Sequence, residues 1–464
     1  MLLKPHHIFT YHGNNYLINV EEMKVFQIDK NTSMTLQKIS LDPDFAISSK
    51  TEEELVRLEL FVLENQEGKK RTDSRPNNTS IRNISLFITQ NCNMRCTYCY
   101  GDGGGYGSSG NMELETARRS VDWLIEHSGE IKKVGISFFG GEPFLNFPLM
   151  KQVVVYAQKR SEEIGKEFEF SVTTNASMLD KKKIAFLKEN KVIPLVSFDG
   201  SKKIQDAQRL FKNGRGSYDV VVPKIRQLLQ VFPETTARAT LVGLTDPVEV
   251  IRALHEIGFS STHITVVSQS LFDFAHDKKK NLRNNHGMEQ MMEVEAEELL
   301  KNVKCQNTQS LKKQKINGLL ITRLGEFLNK QKKYFGCGAG RKFVGISTVG
   351  DVFLCHRFVG MDSYRLGNIF DRGLARDVYQ KSLIKVSKKC NTCFAKYICG
   401  GGCYHENLGF CGSVFEPSEK YCRVIRYSMK MVAYVSSQLS DEDRDYMISE
   451  KIIMCKPCHF DFPV

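Results

Sequence analysis

The stretch "NISLFITQNCNMRCTYCY", residues 83–100, runs from an apolar segment into three cysteines, Cys92, Cys96 and Cys99, spaced C-x3-C-x2-C. "NISLFIT" has the β-branched and aromatic content of a short buried strand, so the cysteines follow a strand directly. Three thiols are one too many for a disulfide. They are one too few for a closed structural zinc site, which takes four ligands. Thiolates suit zinc or iron–sulfur clusters. On a [4Fe–4S] cube, three thiolates leave one iron without a protein ligand and free to bind an outside chelate. A zinc ion completed by His127 or a distant cysteine is the competing reading of the same spacing.

Outward from this loop, five more apolar runs read as strands: "VGISFFG" (134–140), "FEFSVTTN" (168–175), "IPLVSFDG" (193–200), "RATLVGL" (238–244) and "HITVVS" (263–268). Helical segments at 113–128, 146–164 and 181–190 lie between them. Repeated β-then-α units imply parallel strands with right-handed crossovers, and six units predict a closed or partly closed barrel. Chemistry in such barrels sits beyond the C-terminal strand ends, where the cysteine loop falls. "FFGGEPFLN" (138–146) follows the second strand. Gly140 and Gly141 let a backbone approach a ligand closely, Glu142 offers charge to a ligand amine, and Pro143 fixes the turn. Thr173, Thr174 and Asn175 in "TTN", Ser197 and Asp199 in "SFDG", and Arg238 and Thr240 in "RAT" fall near later strand ends. There they can converge on one small polar ligand, although each alone also reads as a helix cap or turn.

The whole chain has 464 residues, enough for two to four domains at roughly 150 residues each. Its 41% hydrophobic and 25% charged content is ordinary for a soluble globular protein. No apolar run reaches transmembrane length and the N-terminus lacks a signal-peptide core, so a cytoplasmic protein with no membrane partner is expected. The net charge of +12 includes runs such as "HDKKKNLRNN" (276–285). Without a recognition motif it does not argue for nucleic acid. It suits acidic peptides, or an acidic flavodoxin- or ferredoxin-type reductant, equally well. Fourteen cysteines in a cytosolic chain point to metal or redox chemistry rather than disulfides.

A second array comprises Cys337, Cys355, Cys390, Cys393, Cys399, Cys403 and Cys422. Seven cysteines exceed one four-ligand site and nearly fill two, and only Cys390–Cys393 is a clean CxxC pair. This Gly- and Cys-rich stretch is poor at burying a core and needs staples. Cys305, Cys411 and the "CKPC" pair Cys455 and Cys458 read as incidental thiols, and His356 and His405 as packing or supporting groups. Residues 1–65 open with a hairpin around "HGNN" and continue to a helix in "TEEELVRLELFVLENQ" (51–66). "EGKKRTDSRPNNTS" (67–80) reads as a linker, 288–333 as helix-rich and 423–439 as a helix.

The C-x3-C-x2-C loop with Tyr98 before its last cysteine, followed by GGEP after strand two, resembles the radical SAM superfamily over about residues 81–270. The resemblance implies a [4Fe–4S] cluster on Cys92, Cys96 and Cys99, with S-adenosylmethionine chelating its open iron. Electron transfer then cleaves the sulfonium and releases a 5′-deoxyadenosyl radical that abstracts a substrate hydrogen. Contacts to S-adenosylmethionine are implied for Tyr98, Gly140, Gly141, Glu142, Pro143, Thr174, Asn175, Ser197, Asp199 and Arg238. The second array, with "LGNIF" (366–370) between its halves, is similar to the SPASM domain. That likeness implies two auxiliary [4Fe–4S] clusters, making three in all. Cys390, Cys393, Cys399 and Cys422 would hold the distal one, and Cys337, Cys355 and Cys403 the nearer one. The fourth position of the nearer cluster stays open between a substrate thiolate, Cys305, Cys411 and water.

Residues 1–66 resemble a winged-helix-like, PqqD-like peptide-recognition domain, whose strand edge would capture a leader peptide by strand addition. The expected architecture is α/β. A linker (67–80) leads to a partial (β/α)6 radical SAM barrel (81–300), a helical bridge (301–333), a Cys-rich SPASM domain (334–425), and a C-terminal helix and tail (426–464). The ensemble most resembles thioether-forming maturases of ribosomally made precursors, those of ranthipeptides, sactipeptides and six-cysteine peptides. Formylglycine formation, carbon–carbon crosslinking and epimerisation remain open as related chemistries. An Fe–S electron carrier or a zinc-dependent nucleic-acid binder is the different-class alternative, and GGEP argues against both.

Overall fold

A computed structural model describes residues 3–42, 45–61, 80–242, 245–266, 285–317 and 320–453. The expected linker up to residue 79, most of the 276–285 run, and Cys455 and Cys458 lie outside the described residues. The chain opens with an antiparallel sheet of β1 (His6–Tyr11), β2 (Asn14–Asn19) and β3 (Lys24–Ile28) in the order β1-β2-β3. His12 and Gly13 turn the first hairpin with φ of 46° and 76°, as a two-residue loop of this twist demands. Helices Lys30–Leu41 and Ser49–Arg57 follow, N-capped by the Asp29 and Ser48 side chains. The first helix escapes sequence reading because its buried apolar face is only Leu36 and Ile39.

Eight strands follow: β4 (Asn83–Thr89), β5 (Met94–Cys96), β6 (Lys133–Gly140), β7 (Glu167–Thr174), β8 (Val192–Ser197), β9 (Arg209–Phe211), β10 (Thr236–Leu241) and β11 (Ser261–Val266). Six of them form a continuous parallel run, β11-β10-β8-β7-β6-β4. Helices Leu114–His127, Phe147–Ile164, Lys181–Glu189, Tyr218–Val231 and Pro247–Ile257 are the crossovers. They bury Trp123, Val153 and Leu228 in the same core as Phe87, Phe138 and Phe170 of the strands. The sheet does not close. Instead β12 (Phe343–Ile346) pairs parallel with the free edge of β4, and β13 (Asp351–Phe353) and β14 (Arg365–Asn368) extend it antiparallel. The six parallel strands of the partial barrel thus continue through β12, β13 and β14 into one nine-stranded sheet.

A second core lies beside the barrel. Helices Asn285–Lys304, Ile321–Leu328 and Glu419–Gln438 contribute Met292, Leu299, Leu324, Met429 and Val432 to it. Phe9, Tyr16, Ile18, Val20 and Met23 of the N-terminal sheet fill the same core. The expected bridge thus joins the N-terminal unit to the C-terminal helix. Among the described residues no helix is long and apolar enough to cross a membrane.

Candidate active site

The cysteine loop leaves the C-terminal end of β4 and at once forms β5, which pairs antiparallel with β9 so that Cys96 lies opposite Arg209. The buried Arg209 guanidinium reaches the Cys96 sulfur at 3.8 Å and the Asp199 carboxylate at 3.1 Å, and it lies 5.4 Å from the Tyr98 ring centre. Tyr98 donates its hydroxyl to Asp199 at 2.6 Å, and the Thr240 amide donates to the other carboxylate oxygen at 3.0 Å. Tyr98 and Asp199 thus lock the loop to the ends of β8 and β10. Burial pushes the Cys92 thiol up to about 12, with negative charge from Glu142, Cys96 and Cys99 adding to the effect. Burial also raises Cys96, while Arg209 opposes it. A bound metal centre would replace those protons.

The GGEP glycines serve this packing. A Cβ on Gly140 would lie 2.0 Å from the Thr89 carbonyl oxygen, and one on Gly141 2.0 Å from that of Asn91. The Gly141 and Glu142 amides donate to those same carbonyls at 3.0 and 2.9 Å. At these glycines the backbone that comes close is that of Thr89 at the end of β4 and of Asn91 just before the first cysteine. Pro143 opens the turn Pro143–Asn146. Glu142 is fully buried. Its carboxylate accepts from the Phe144 amide at 3.2 Å, the Thr174 hydroxyl at 2.8 Å and the Asn175 amide at 2.8 Å. Among the described residues no cation forms an ion pair with it. Burial lifts it to about 7 against the pull of those hydrogen bonds.

Asn175 donates through Nδ2 to Asn93 at 3.0 Å and faces the Cys92 sulfur at 3.8 Å. Ser197 and Arg238, both half-buried, are partners in the register of β8 and β10. Gln90, which sequence reading missed, donates to Gly105 O and Ser108 Oγ at 2.8 and 2.9 Å and accepts from the Thr348 hydroxyl at 2.7 Å. It ties the loop to the turn between β12 and β13, a partner 258 residues away that no local pattern announces.

The second array resolves into two groups. Cys337, Cys355 and Cys403 lie within electrostatic reach of one another. Cys390, Cys393, Cys399 and Cys422 line one pocket with Lys389, Lys396, Tyr421 and Arg426. Burial pushes Cys337 and Cys399 up to about 12 and Cys422 to about 11. The glycine-tight crossing of residues 335–336 over 400–402 brings Cys337 to Cys403. A Cβ on Gly336 would lie 2.0 Å from the Gly402 carbonyl oxygen. Tyr100, one residue past Cys99, lies 5.7 Å from His405 and 5.9 Å from the Arg357 guanidinium, which has Cys403 as a charged neighbour. His356 and His405 are buried against Phe139 and Phe358. Cys305 is exposed, and Cys411 has Glu416 and Lys389 as charged neighbours.

Among the described residues no three His, Cys, Asp or Glu donors close as tightly as one bare metal ion requires. A cube, whose thiolates sit on separate irons, spreads its ligands more widely than one tetrahedral ion does. The donor sets fit such groups: three thiols beside a buried carboxylate without a cation, and four thiols ringed by Lys389, Lys396 and Arg426.

Residues 86–257 match the family model of the radical SAM superfamily, so this part of the chain is a radical SAM domain, a class that uses S-adenosylmethionine and a [4Fe–4S] cluster. The chain is 23% identical over 364 residues to the cysteine-type anaerobic sulfatase-maturating enzyme of Clostridium perfringens (strain 13 / Type A), covering 69% of this chain and 88% of that protein. It is 22% identical over 341 residues to the antilisterial bacteriocin subtilosin biosynthesis protein AlbA of Bacillus subtilis, covering 69% and 66%. Its fold is similar to that of native anSMEcpe with bound AdoMet and Cp18Cys peptide, with a TM-score of 0.63 at 19% identity over 78% of this chain and 100% of that one.

Proposed function

We propose that this chain is a radical SAM maturase that forms thioether crosslinks in a ribosomally made, cysteine-containing precursor peptide. The observation that carries this reading is the group of Cys337, Cys355 and Cys403, joined by no fourth thiol among the described residues and linked through Arg357 to Tyr100, the neighbour of Cys99. A site short of one protein thiolate has room for a substrate sulfur beside the place where hydrogen is removed. S-adenosylmethionine and the clusters, when bound, supply removal of a hydrogen atom from carbon and an exit for the remaining electron. The chain's part is positional. Glu142 meets the ligand ammonium, Ser197 and Arg238 orient its other polar groups, and the closed ring of Tyr98, Asp199 and Arg209 keeps the cysteine loop rigid. β3 ends the N-terminal sheet and offers an edge for strand addition by a leader peptide. The likeness to a bacteriocin biosynthesis protein supports a peptide substrate.

The likeness to a cysteine-type sulfatase-maturating enzyme favours a second reading, oxidation of a substrate cysteine to formylglycine. Coexpression with candidate cysteine-containing peptides, followed by tandem mass spectrometry and thiol counting, separates the two. A thioether loses two hydrogens and one free thiol per link and keeps the sulfur, whereas formylglycine loses the sulfur. A product with every thiol and every hydrogen intact rules out both. Absence of 5′-deoxyadenosine after anaerobic reconstitution with S-adenosylmethionine and strong reductant removes the radical assignment itself.

A further inference from the structure

The N-terminal sheet touches the four-cysteine pocket in a way that peptide recognition does not require. Glu21, in the turn between β2 and β3, forms an ion pair with Lys396 at 2.9 Å and another with Lys332 at 3.1 Å. It also accepts the Tyr397 hydroxyl at 2.8 Å. Burial alone would raise the Glu21 carboxyl, but the bonds from Lys396 and Tyr397 hold it below the usual range. His7 on β1 stacks on Phe394 with ring centres 3.7 Å apart and planes within 3°. Ala395 and Ile398 are buried in the core that the sheet's Tyr16, Ile18 and Val20 help fill. All five residues between Cys393 and Cys399 are therefore held by the sheet or by the core it shares. Lys396 does both jobs: it lines the thiol pocket and carries the bridge to Glu21.

We infer that the N-terminal sheet is the positioning element of the four-cysteine site, with Glu21 as the positioning residue that holds the Cys393–Cys399 segment against the pocket. The consequence for metal binding rests on the proposed cluster role of these cysteines, but the positional claim does not. Glu21 touches no thiol and acts only through Lys396, Tyr397 and Lys332. A ligand that displaced the sheet would loosen two of the four thiols at once, which links whatever the N-terminal unit binds to the state of this site.

The test uses the full chain and the Glu21→Gln and His7→Ala variants, with Glu22→Gln as the neighbouring control. Glu22 pairs with Lys4 inside the N-terminal unit, at 2.9 Å. Anaerobic alkylation of chelator-treated protein is followed cysteine by cysteine with mass spectrometry. Loss of the bridge is expected to speed labelling of Cys393 and Cys399 about fivefold, as local opening follows the hydrogen bonds removed. Cys92 and Cys337 should keep their wild-type rates, and the control should change none of the four. Unchanged Cys393 and Cys399 rates in both variants overturn the inference, and so does an equal gain in the Glu22→Gln control. A second readout, iron release to a chelator from the reconstituted protein, should accelerate only in the fraction bound at the four-cysteine group. If labelling accelerates while that group never binds iron, the positional inference holds and the cluster role falls.

Discussion

Glu142 has three hydrogen-bond donors around its carboxylate and, among the described residues, no cation, so its protonation is a stability term whose sign can be worked out. Its folded value of about 7 lies above the ordinary carboxylate range, so the native state holds the proton more tightly than the unfolded chain does. The contribution is fully present below about pH 4.5 and is lost as pH rises through 7, a swing of about 3 kcal/mol in the ligand-free protein. Urea titrations of the ligand-free chain across that window should therefore show falling stability from this group. Glu142→Gln should abolish the slope and cost about 1–3 kcal/mol, because an amide NH2 would have to face a backbone N–H. With its ammonium against Glu142, as proposed, S-adenosylmethionine should flatten the slope in the wild type; an unaltered slope with ligand bound would argue against that proposal. Gly141→Ala probes the same junction from the backbone side. Its Cβ would stand 2.0 Å from the Asn91 oxygen, so about 3 kcal/mol or more of destabilisation is expected in thermal melts. The GGEP run was legible because its glycines and proline are contiguous. What the glycines make room for was not, since nothing local names the backbone that comes to meet them.

The β5–β9 pair is built from two three-residue strands, too short for any periodicity to reveal, and it decides the geometry of the loop. The six barrel strands were readable because runs such as "NISLFIT" are buried on both faces and stay apolar throughout. β12 was not: "FVGI" is four residues with a central glycine, and its partner β4 lies more than 250 residues back. Arg209 escaped for the same reason, being one cation in a polar stretch whose meaning comes only from Cys96 across the ladder. Its removal has a definite energetic signature. Arg209→Met leaves the fully buried Asp199 without its cation, and breaking a buried pair from one side costs about 3–5 kcal/mol. Adding Asp199→Asn removes the stranded charge and should recover a substantial part of that loss in equilibrium denaturation. A double variant as unstable as the sum of the two single changes would mean the pair does not act as a unit.

Three cores run through the described residues; the N-terminal unit has a small one of its own around Leu17, Leu36 and Leu58, but the other face of its sheet belongs to the second. Its sequence reads as a peptide-recognition-like domain followed by a polar linker, and the structure ties its sheet to distant parts of the chain. Phe9, Tyr16, Ile18, Val20 and Met23 are buried with Met292, Leu299, Met429 and Val432 of helices that lie hundreds of residues downstream. Burial of those five side chains contributes on the order of 10 kcal/mol before entropy is subtracted. Deleting residues 1–61 would bare the apolar faces of Asn285–Lys304 and Glu419–Gln438 and release Lys332, Lys396 and Tyr397 from Glu21. The truncated chain should therefore melt well below the full chain, bind a hydrophobic dye in its folded baseline, and aggregate on concentration. Its barrel core, built from other residues, should keep native far-ultraviolet dichroism at low temperature. A truncated chain with the full chain's melting temperature and no dye binding would show that the shared core is not what holds the two ends together. Point substitution at Glu21 is consequently the cleaner probe of this interface, because it removes the bridge and leaves the apolar burial in place.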